Sequence, residues 1–209
     1  HTDDCSTLEP VRYPAGSGFF RVLMAPHGPG PTAGARVLGA LRAVARSPGG
    51  ALRAFLAPDF GRHAMILLYM RTVDSWLSLR PARWGRGARS VLAHGPAPRA
   101  AIPEATELGE RVAAHADGFL ASLATETLFG IPTTAHVLGG CVMGDSAETG
   151  VIGPDHQVWN YPGLYVVDGS AVSANPGVNP SLTICALAEG AMERIPARAD
   201  AEAGAAVAV

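Results

Sequence analysis

Three sites in a glycine-rich stretch near the carboxyl end carry side chains that could do chemistry. They are a histidine, His136, an aspartate followed by a glycine, Asp168-Gly169, and an asparagine followed by a proline, Asn179-Pro180. An imidazole exchanges protons near neutral pH, so a positioned histidine can serve as an acid or a base. Asparagine before proline is typical of a helix start, and the positive end of a helix favours a negatively charged ligand. The residue types therefore fit proton transfer beside an anionic group.

Each of these sites also has a purely structural interpretation. A single histidine beside glycines is more often structural than catalytic, and an isolated Asp-Gly pair usually forms a plain tight turn. Asn179 could do no more than cap a free backbone N–H, a contribution of about 1 kcal/mol. From the residue types alone, both interpretations stay open.

The elements around these residues indicate a ligand site. Residues 164–167 form a short apolar run of the kind buried in a parallel sheet, and Asp168-Gly169 turns the chain at its carboxyl end. Open α/β sheets bind ligands at that end of their strands. From position 135 onward, glycine-rich turns alternate with short apolar strands, and Pro180 is predicted to start a final helix that Pro196 ends.

The rest of the chain predicts a mixture of strands and helices. Residues 81–99 are rich in arginine, glycine and proline, which favours an exposed connection with room for one strand. The predicted strands are 8–13, 19–24 and 63–73, and the predicted helices are 35–46, 51–56 and a long one over 103–129.

Composition excludes several function classes. The chain has 209 residues, of which 48% are hydrophobic, and a formal net charge of -2, so no overall field would attract nucleic acid. Cys5, Cys141 and Cys185 lie far apart and outside metal-ligand spacing, which predicts no metal site. No apolar run is long enough to span a bilayer. We expect a soluble protein, cytoplasmic or secreted, whose native amino terminus lies upstream of His1.

Three segments in a fixed order carry a resemblance to a known family. They are His136-Val-Leu-Gly-Gly-Cys-Val-Met-Gly144, Gly163-Leu-Tyr-Val-Val-Asp-Gly-Ser170 and Gly177-Val-Asn-Pro-Ser-Leu-Thr-Ile184. Together they resemble the carboxy-terminal signature of the glucose-methanol-choline (GMC) oxidoreductases. Leu8-Glu-Pro-Val-Arg-Tyr13 and Met70-Arg-Thr-Val-Asp74 are similar to the cholesterol oxidase branch. The resemblance covers most of the chain and is strongest over 135–195.

The resemblance implies an α/β fold that forms the carboxy-terminal part of a two-domain FAD-dependent protein. Residues 1–129 would be part of a substrate-binding domain with a mixed or antiparallel sheet and covering helices. Residues 130–198 would be the closing segment of the FAD-binding domain, and 199–209 a disordered tail. The dinucleotide fingerprint is absent, because the glycines of 28–34 have the wrong spacing and two internal prolines. The chain by itself would therefore retain no flavin.

The resemblance also implies the roles of individual residues. His136 and Asn179 would face the substrate hydroxyl, with His136 taking or sharing the alcohol proton as hydride leaves for the flavin. Glu9 would move a proton during double-bond isomerisation, and the alternative is a strand-edge carboxylate that is solvated or paired with Arg12. The implied cofactor-binding residues are Asp168, Gly169, Asn179, Pro180 and Ser181.

The implied reaction is oxidation of an alcohol with FAD as cofactor and dioxygen as acceptor. The expected alcohol is the 3β-hydroxyl of a sterol such as cholesterol, which would become the ketone. Two alternatives stay open: a dehydrogenase of the same family that uses another electron acceptor, and a truncated, non-catalytic substrate-binding module. A weak contact with a membrane surface is a further hypothesis, since arginines flank the apolar stripe of 35–56. These arginines are Arg36, Arg42, Arg46 and Arg53.

Overall fold

The computed structural model describes residues 5–82, 87–134 and 136–195. The chain divides into two compact units, His1–Thr134 and Ala135–Val209. The first unit contains paired strands and helices, and the second contains turns, isolated bridges and one long helix. The predicted α/β class is confirmed. Pro196, the predicted end of the last helix, and the predicted tail of 199–209 lie outside the described residues.

Strands of the first unit form antiparallel pairs. β1 (Ser6–Val11) pairs with β3 (Ile66–Arg71), and β2 (Met24–Pro26) pairs with β6 (Ala121–Leu123). β4 (Trp76–Pro81) and β5 (Ala88–His94) form a hairpin. The sheet is thus antiparallel, as expected for this part of the chain, but it consists of separate two-stranded pieces. Over 81–99 the prediction was an exposed connection with room for one strand, and in the described part of that segment β5 is the one strand and most residues are exposed.

The strand predicted over 19–24 is wrong. Residues Gly18–Leu23 form a 3-10 helix, and only Met24 belongs to a strand, β2. The short apolar run has no alternation to mark a strand, and tertiary packing decides its conformation. Here the ring of Phe20 stacks on Tyr13, with the two centroids 4.1 Å apart.

Two of the predicted helices begin earlier than expected. α1 spans Ala33–Arg46 because the hydroxyl of Thr32 accepts the backbone N–H of Ala35 at 3.2 Å and so caps the helix. α2 spans Pro48–Leu56 with its proline in the first turn. A short α3 (Phe60–His63) follows. The glycine loop of 28–34 packs on α1, since a Cβ on Gly28 would lie 2.7 Å from the backbone nitrogen of Ala40.

The long helix predicted over 103–129 is wrong as a single element. α4 spans Pro103–His115, and Asp117 then adopts a left-handed conformation (φ 46°) that ends the helix. The chain continues as β6 and as a π-helix, Thr125–Phe129, which ends at the left-handed Gly130. Pairing of β6 with β2 and a bond from the His27 N–H to the Leu120 carbonyl at 3.2 Å override the local helical preference.

The second unit is built mainly from turns around a small core. Ile152 and Ala191 are fully buried, and Ala171 is 3% exposed. A 3-10 helix covers Gly169–Ala171, and α5 covers Ser181–Arg194, within one residue of the predicted start. The buried parallel strand expected over 164–167 is wrong. Tyr165 makes one isolated antiparallel bridge with Gln157, and Leu164 is 52% exposed.

Among the described residues, no helix is both long and apolar enough to cross a membrane.

Candidate active site

Gly169 is the point at which the three sequence motifs of the second unit meet. A Cβ built on Gly169 would lie 2.8 Å from the carbonyl oxygen of Val137, next to His136. The same Cβ would lie 3.3 Å from Leu138 Cδ2 and 3.3 Å from Ile184 Cδ1, a side chain of α5. Only glycine permits this approach, because any other residue would overlap a backbone atom. The close packing therefore brings the histidine segment, the Asp-Gly-Ser turn and α5 together.

Two backbone hydrogen bonds hold the histidine segment on the turn. The N–H of Gly139 donates to the Gly169 carbonyl at 3.2 Å, and the N–H of Cys141 donates to the Ser170 carbonyl at 3.0 Å. Gly139 and Gly140 have φ angles of +75° and +104°, which glycine adopts at little cost. The two glycines after the histidine thus let the chain bend around the turn. His136 itself is half-buried.

Asp168 shapes the turn that carries Gly169. Its carboxylate accepts the backbone N–H of Ser170 at 2.8 Å and also the Ser170 hydroxyl. These two hydrogen bonds hold the pKa of Asp168 below its ordinary value although the side chain is exposed. The bond from the hydroxyl has the larger effect, and the bond from the backbone N–H has the smaller one. The carboxylate is therefore ionised at neutral pH, and it accepts hydrogen bonds from within its own turn. Its direct contribution is to fix the backbone beside Gly169.

Asn179 has one end of its amide fixed at the start of α5. Its Oδ1 accepts the Ser181 backbone N–H at 3.0 Å and the Ser181 hydroxyl at 2.6 Å. Because a backbone N–H can only donate, the atom facing it must be the amide oxygen. The NH₂ group lies at the other end of the amide, and it can only donate hydrogen bonds. Pro180, under 2% exposed, anchors the helix start below it.

Glu9 lies on an apolar strand face in the first unit. It is half-buried on β1 directly opposite Leu68 of β3, and the neighbouring opposed pairs on this face are Thr7 with Met70 and Val11 with Ile66. The guanidinium of Arg12 donates to the carbonyl of Arg62 at 3.1 Å. The carboxylate is thus flanked mainly by aliphatic side chains.

The sequence-predicted residues divide between the two units. The structure brings the His136 segment, Asp168, Gly169 and the start of α5 together within the second unit, whereas Glu9 belongs to the first. Sequence reasoning missed the supporting contacts of Leu138 and Ile184. The sequence cue for these contacts was the position of Leu138 and Ile184 inside the first and third motifs, where an apolar side chain is expected to pack against a neighbouring segment.

Two histidines that match no motif have structural contacts. His156 is 2% exposed with φ 66°, and its Nδ1 lies 3.0 Å from the Val166 carbonyl oxygen. His27 Nε2 lies 3.1 Å from the hydroxyl of Thr106 on α4. Burial lowers the pKa of His27, and the negative charge of Glu110 opposes that effect. Both side chains therefore stabilise local packing.

Two of the four arginines considered for a membrane contact are engaged within the chain. Arg36 donates to the carbonyls of Thr127 at 2.9 Å and Leu128 at 3.3 Å, and Arg53 lies 3.2 Å from a carboxylate oxygen of Asp117. Such contacts orient these cations toward the protein. The membrane hypothesis gains no support from them.

In the described part of the chain, no three or more His, Cys, Asp or Glu residues are grouped so that they could hold a metal ion.

Comparison with known proteins gives consistent matches. Residues 82–188 match a family model described as GMC oxidoreductase. A cholesterol oxidase of Acinetobacter baumannii is 40% identical over 204 residues, covering 95% of this chain and 36% of that protein. A cholesterol oxidase of Mycobacterium tuberculosis is 40% identical over 202 residues, 93% of this chain and 35% of that protein.

A shorter match is to a 2-methyl-1,2-propanediol dehydrogenase of Mycolicibacterium austroafricanum, 43% identical over 67 residues, 32% of this chain and 12% of that protein. The chain spans about a third of the length of the two cholesterol oxidases. No solved structure gives a significant match.

Proposed function

Because the chain belongs to the GMC oxidoreductase family, we propose that it supplies the alcohol-oxidising side of a flavin site in a longer protein. The observation that carries this proposal is the convergence at Gly169. There the backbone beside His136, the Asp168-Gly169-Ser170 turn and the first turns of α5 pack against one another. A proton-transfer group and an anion-binding helix start are thereby held in one rigid arrangement, as acid-base chemistry beside a charged cofactor requires.

The start of α5 fits FAD in the chemistry of its donors. The N–H of Ser181 is occupied by Asn179, but those of Leu182 and Thr183 have no partner within the helix because they belong to its first turn. All three residues are exposed, so an anionic group can reach this end. When bound, FAD would accept hydride from the carbinol carbon and pass the electrons on. Asp168, Gly169, Asn179, Pro180 and Ser181 would form the wall against it.

His136 and Asn179 would divide the work on the substrate hydroxyl. An imidazole can accept the hydroxyl proton near neutral pH, which leaves electron density on the oxygen as the carbinol C–H bond breaks. The contacts of Oδ1 with Ser181 orient the Asn179 amide, and its NH₂ would donate to that oxygen and stabilise the charge. The protein groups would thus bind and orient the alcohol and move one proton.

The proposed substrate is a sterol with a 3β-hydroxyl, oxidised to the ketone with dioxygen as acceptor. Support comes from the two cholesterol oxidases at 40% identity over almost the whole chain. Glu9 adds isomerisation to this proposal, since a carboxylate on an aliphatic strand face could accept the acidic C4 proton beside the new ketone.

A dehydrogenase with another electron acceptor is the second candidate. Its support is the match to a diol dehydrogenase over part of the chain. The third candidate, a non-catalytic binding module, is disfavoured by the retention of both His136 and Asn179 in a supported setting.

The test uses the full-length protein that contains this chain. We expect it to be purified yellow, to be bleached by cholesterol without oxygen, and to recolour on admission of air with formation of hydrogen peroxide. Recolouring only with an added artificial acceptor would favour the dehydrogenase. The 209-residue chain alone should be colourless, and a full-length protein that binds no flavin or is bleached by no alcohol would contradict the proposal.

A further inference from the structure

The hairpin of β4 and β5 is held at both of its ends. At the base, the ring of Trp76 stacks on the ring of His94, with the two centroids 4.2 Å apart. At the turn, the N–H of Ala82 donates to the carbonyl of Gly87 at 3.1 Å. The register shift of this hairpin lies beside Trp76, away from the turn. The strand positions near the turn therefore have a defined register.

Two arginines lie directly opposite each other near this turn. Arg80 of β4 is paired with Arg89 of β5, and both residues are exposed. Residues directly opposite on an antiparallel pair have Cβ atoms about 4.5–5.5 Å apart on the same face of the sheet, so the two side chains begin side by side. Like charges at such positions destabilise the strand pair. A bound anion would remove this repulsion.

The two guanidinium groups have no carboxylate partner in the part of the chain that the structure describes. The ion pairs formed there include neither of them. From 75 to 103 the sequence contains five arginines and no aspartate or glutamate. Asp74, just before this stretch, lies 3.7 Å from His94 Nε2 at the base of the hairpin.

The charge of Asp74 is also too far away to compensate the arginine pair. Four residues of β4 separate Trp76, at the base, from Arg80, which is about 13 Å at the usual rise of a strand. This distance exceeds the screening length of about 8 Å at physiological ionic strength. The pair therefore presents two adjacent positive charges to solvent.

Two neighbouring guanidinium groups favour a particular kind of anion. Each group is planar and always charged, and its fork of N–H donors matches two oxygens of a phosphate or a carboxylate. A phosphate monoester has a charge of about −1.5 to −2 at pH 7 and three acceptor oxygens, so it can neutralise both arginines at once. A carboxylate has a single charge and would leave one guanidinium without a counter-ion. The pair thus fits a phosphate monoester better than a carboxylate.

We propose that Arg80 and Arg89 form a binding site for a phosphate monoester near the turn of the β4–β5 hairpin. The site uses none of the residues assigned to the flavin or to the alcohol, so it is independent of the proposed function. A soluble phosphate compound and a monoester lipid headgroup present the same chemical group to the two arginines. The experiments below distinguish these two sources.

The direct test titrates the full-length protein with methyl phosphate and measures the Kd by ³¹P NMR. Arg80→Thr should raise this Kd about tenfold, because the charge-assisted hydrogen bonds of one guanidinium are lost. Arg80→Lys keeps the charge without the fork of donors and should raise the Kd by a smaller factor. Dimethyl phosphate, a singly charged diester, should bind more weakly than methyl phosphate.

Arg99→Thr is the matched control for this titration. It removes an exposed arginine from the same acid-free stretch, but outside the hairpin, and should leave the Kd unchanged. Failure of methyl phosphate to bind, or an equal rise of the Kd in Arg99→Thr, would overturn the proposal. If Arg80→Thr does not fold, Arg89→Thr replaces it and must raise the Kd in the same way.

Thermal unfolding gives a second measurement. Without ligand, Arg80→Thr should melt at the same temperature as wild type or higher, because the change removes like-charge repulsion and threonine favours strands. Methyl phosphate should raise the melting temperature of wild type and of Arg99→Thr more than that of Arg80→Thr, since a ligand that binds the folded state stabilises it. Equal increases in all three proteins would contradict a site at Arg80.

Vesicles distinguish the two sources of the phosphate. Cosedimentation with phosphatidylcholine vesicles that contain phosphatidic acid, lost in Arg80→Thr and kept in Arg99→Thr, would identify a lipid headgroup as the ligand. Binding of methyl phosphate without such cosedimentation would identify a soluble phosphate compound. Binding of neither would overturn the proposal.

Discussion

The carbonyl oxygen of Val137 lies so close to Gly169 that a Cβ on residue 169 would be 2.8 Å from it. A backbone oxygen cannot move aside as a flexible side chain can, so the contact requires glycine. This glycine was expected to admit a cofactor. Within the chain it admits the neighbour of His136, and so joins two motifs that are 33 residues apart in sequence.

Gly169→Ala should therefore destabilise the protein by about 1–3 kcal/mol, the usual cost of forcing extra atoms into a packed site. Gly190→Ala is the matched control, because Gly190 lies in α5 with open space at the Cβ position. That change should stabilise the protein by about 0.5–1 kcal/mol, since alanine favours a helix. Chemical denaturation measures the free energy of unfolding of each variant. Equal changes in the two variants would refute the requirement for glycine at position 169.

Asn179→Asp separates helix capping from chemistry. Aspartate caps helices about as well as asparagine, so its oxygen should keep the Ser181 contact and the melting temperature should change little. The variant loses the NH₂ donor and should lower kcat by about two to three orders of magnitude. Asn179→Ala should lower both quantities. Full activity in Asn179→Asp would mean that the residue is only a cap.

His27 should make the first unit sensitive to acid. Its folded-state pKa lies below the ordinary 6.5, so the unfolded chain binds more protons between the folded value and 6.5. Its contribution to stability is thus complete above pH 6.5 and is lost as pH falls through the folded pKa. Unfolding free energies measured from pH 8 to pH 5 should fall less in His27→Gln than in wild type. Parallel curves would show that His27 is not the group responsible.

Glu9→Gln in the full-length protein should separate oxidation from isomerisation. The variant should still reduce the flavin with a 5-ene sterol but accumulate the unconjugated 5-en-3-one, because the amide cannot accept the C4 proton. Chromatography of the products gives the ratio of the unconjugated to the conjugated ketone. A normal yield of the conjugated 4-en-3-one would return Glu9 to a structural role on β1.

The sequence predicted local features better than their assembly. The α5 start was placed within one residue because Asn179-Pro180 is a strong local signal, and the end of α1 at Arg46 was correct. The break at Asp117 was missed although Asp117-Gly118 is a local turn signal, because helical spacing on both sides of it favoured one continuous helix.

The candidate site shows the same division. The motif residues were identified by type and order, but the contact of Gly169 with Val137 depends on packing between distant segments. No periodicity encodes such a contact. The strand predicted over 164–167 was wrong for a related reason. A short apolar run indicates that the segment packs against other apolar groups, but it does not specify that the segment joins a parallel sheet.

The measurement that tests the central claim most directly is anaerobic flavin reduction by cholesterol in the full-length protein, followed by stopped-flow absorbance. His136→Ala should slow reduction by about two to four orders of magnitude, the usual contribution of a positioned acid or base. Its flavin content and melting temperature should stay near those of wild type. Reduction within a few fold of wild type, accompanied by a lower melting temperature, would contradict the account and make His136 a structural residue.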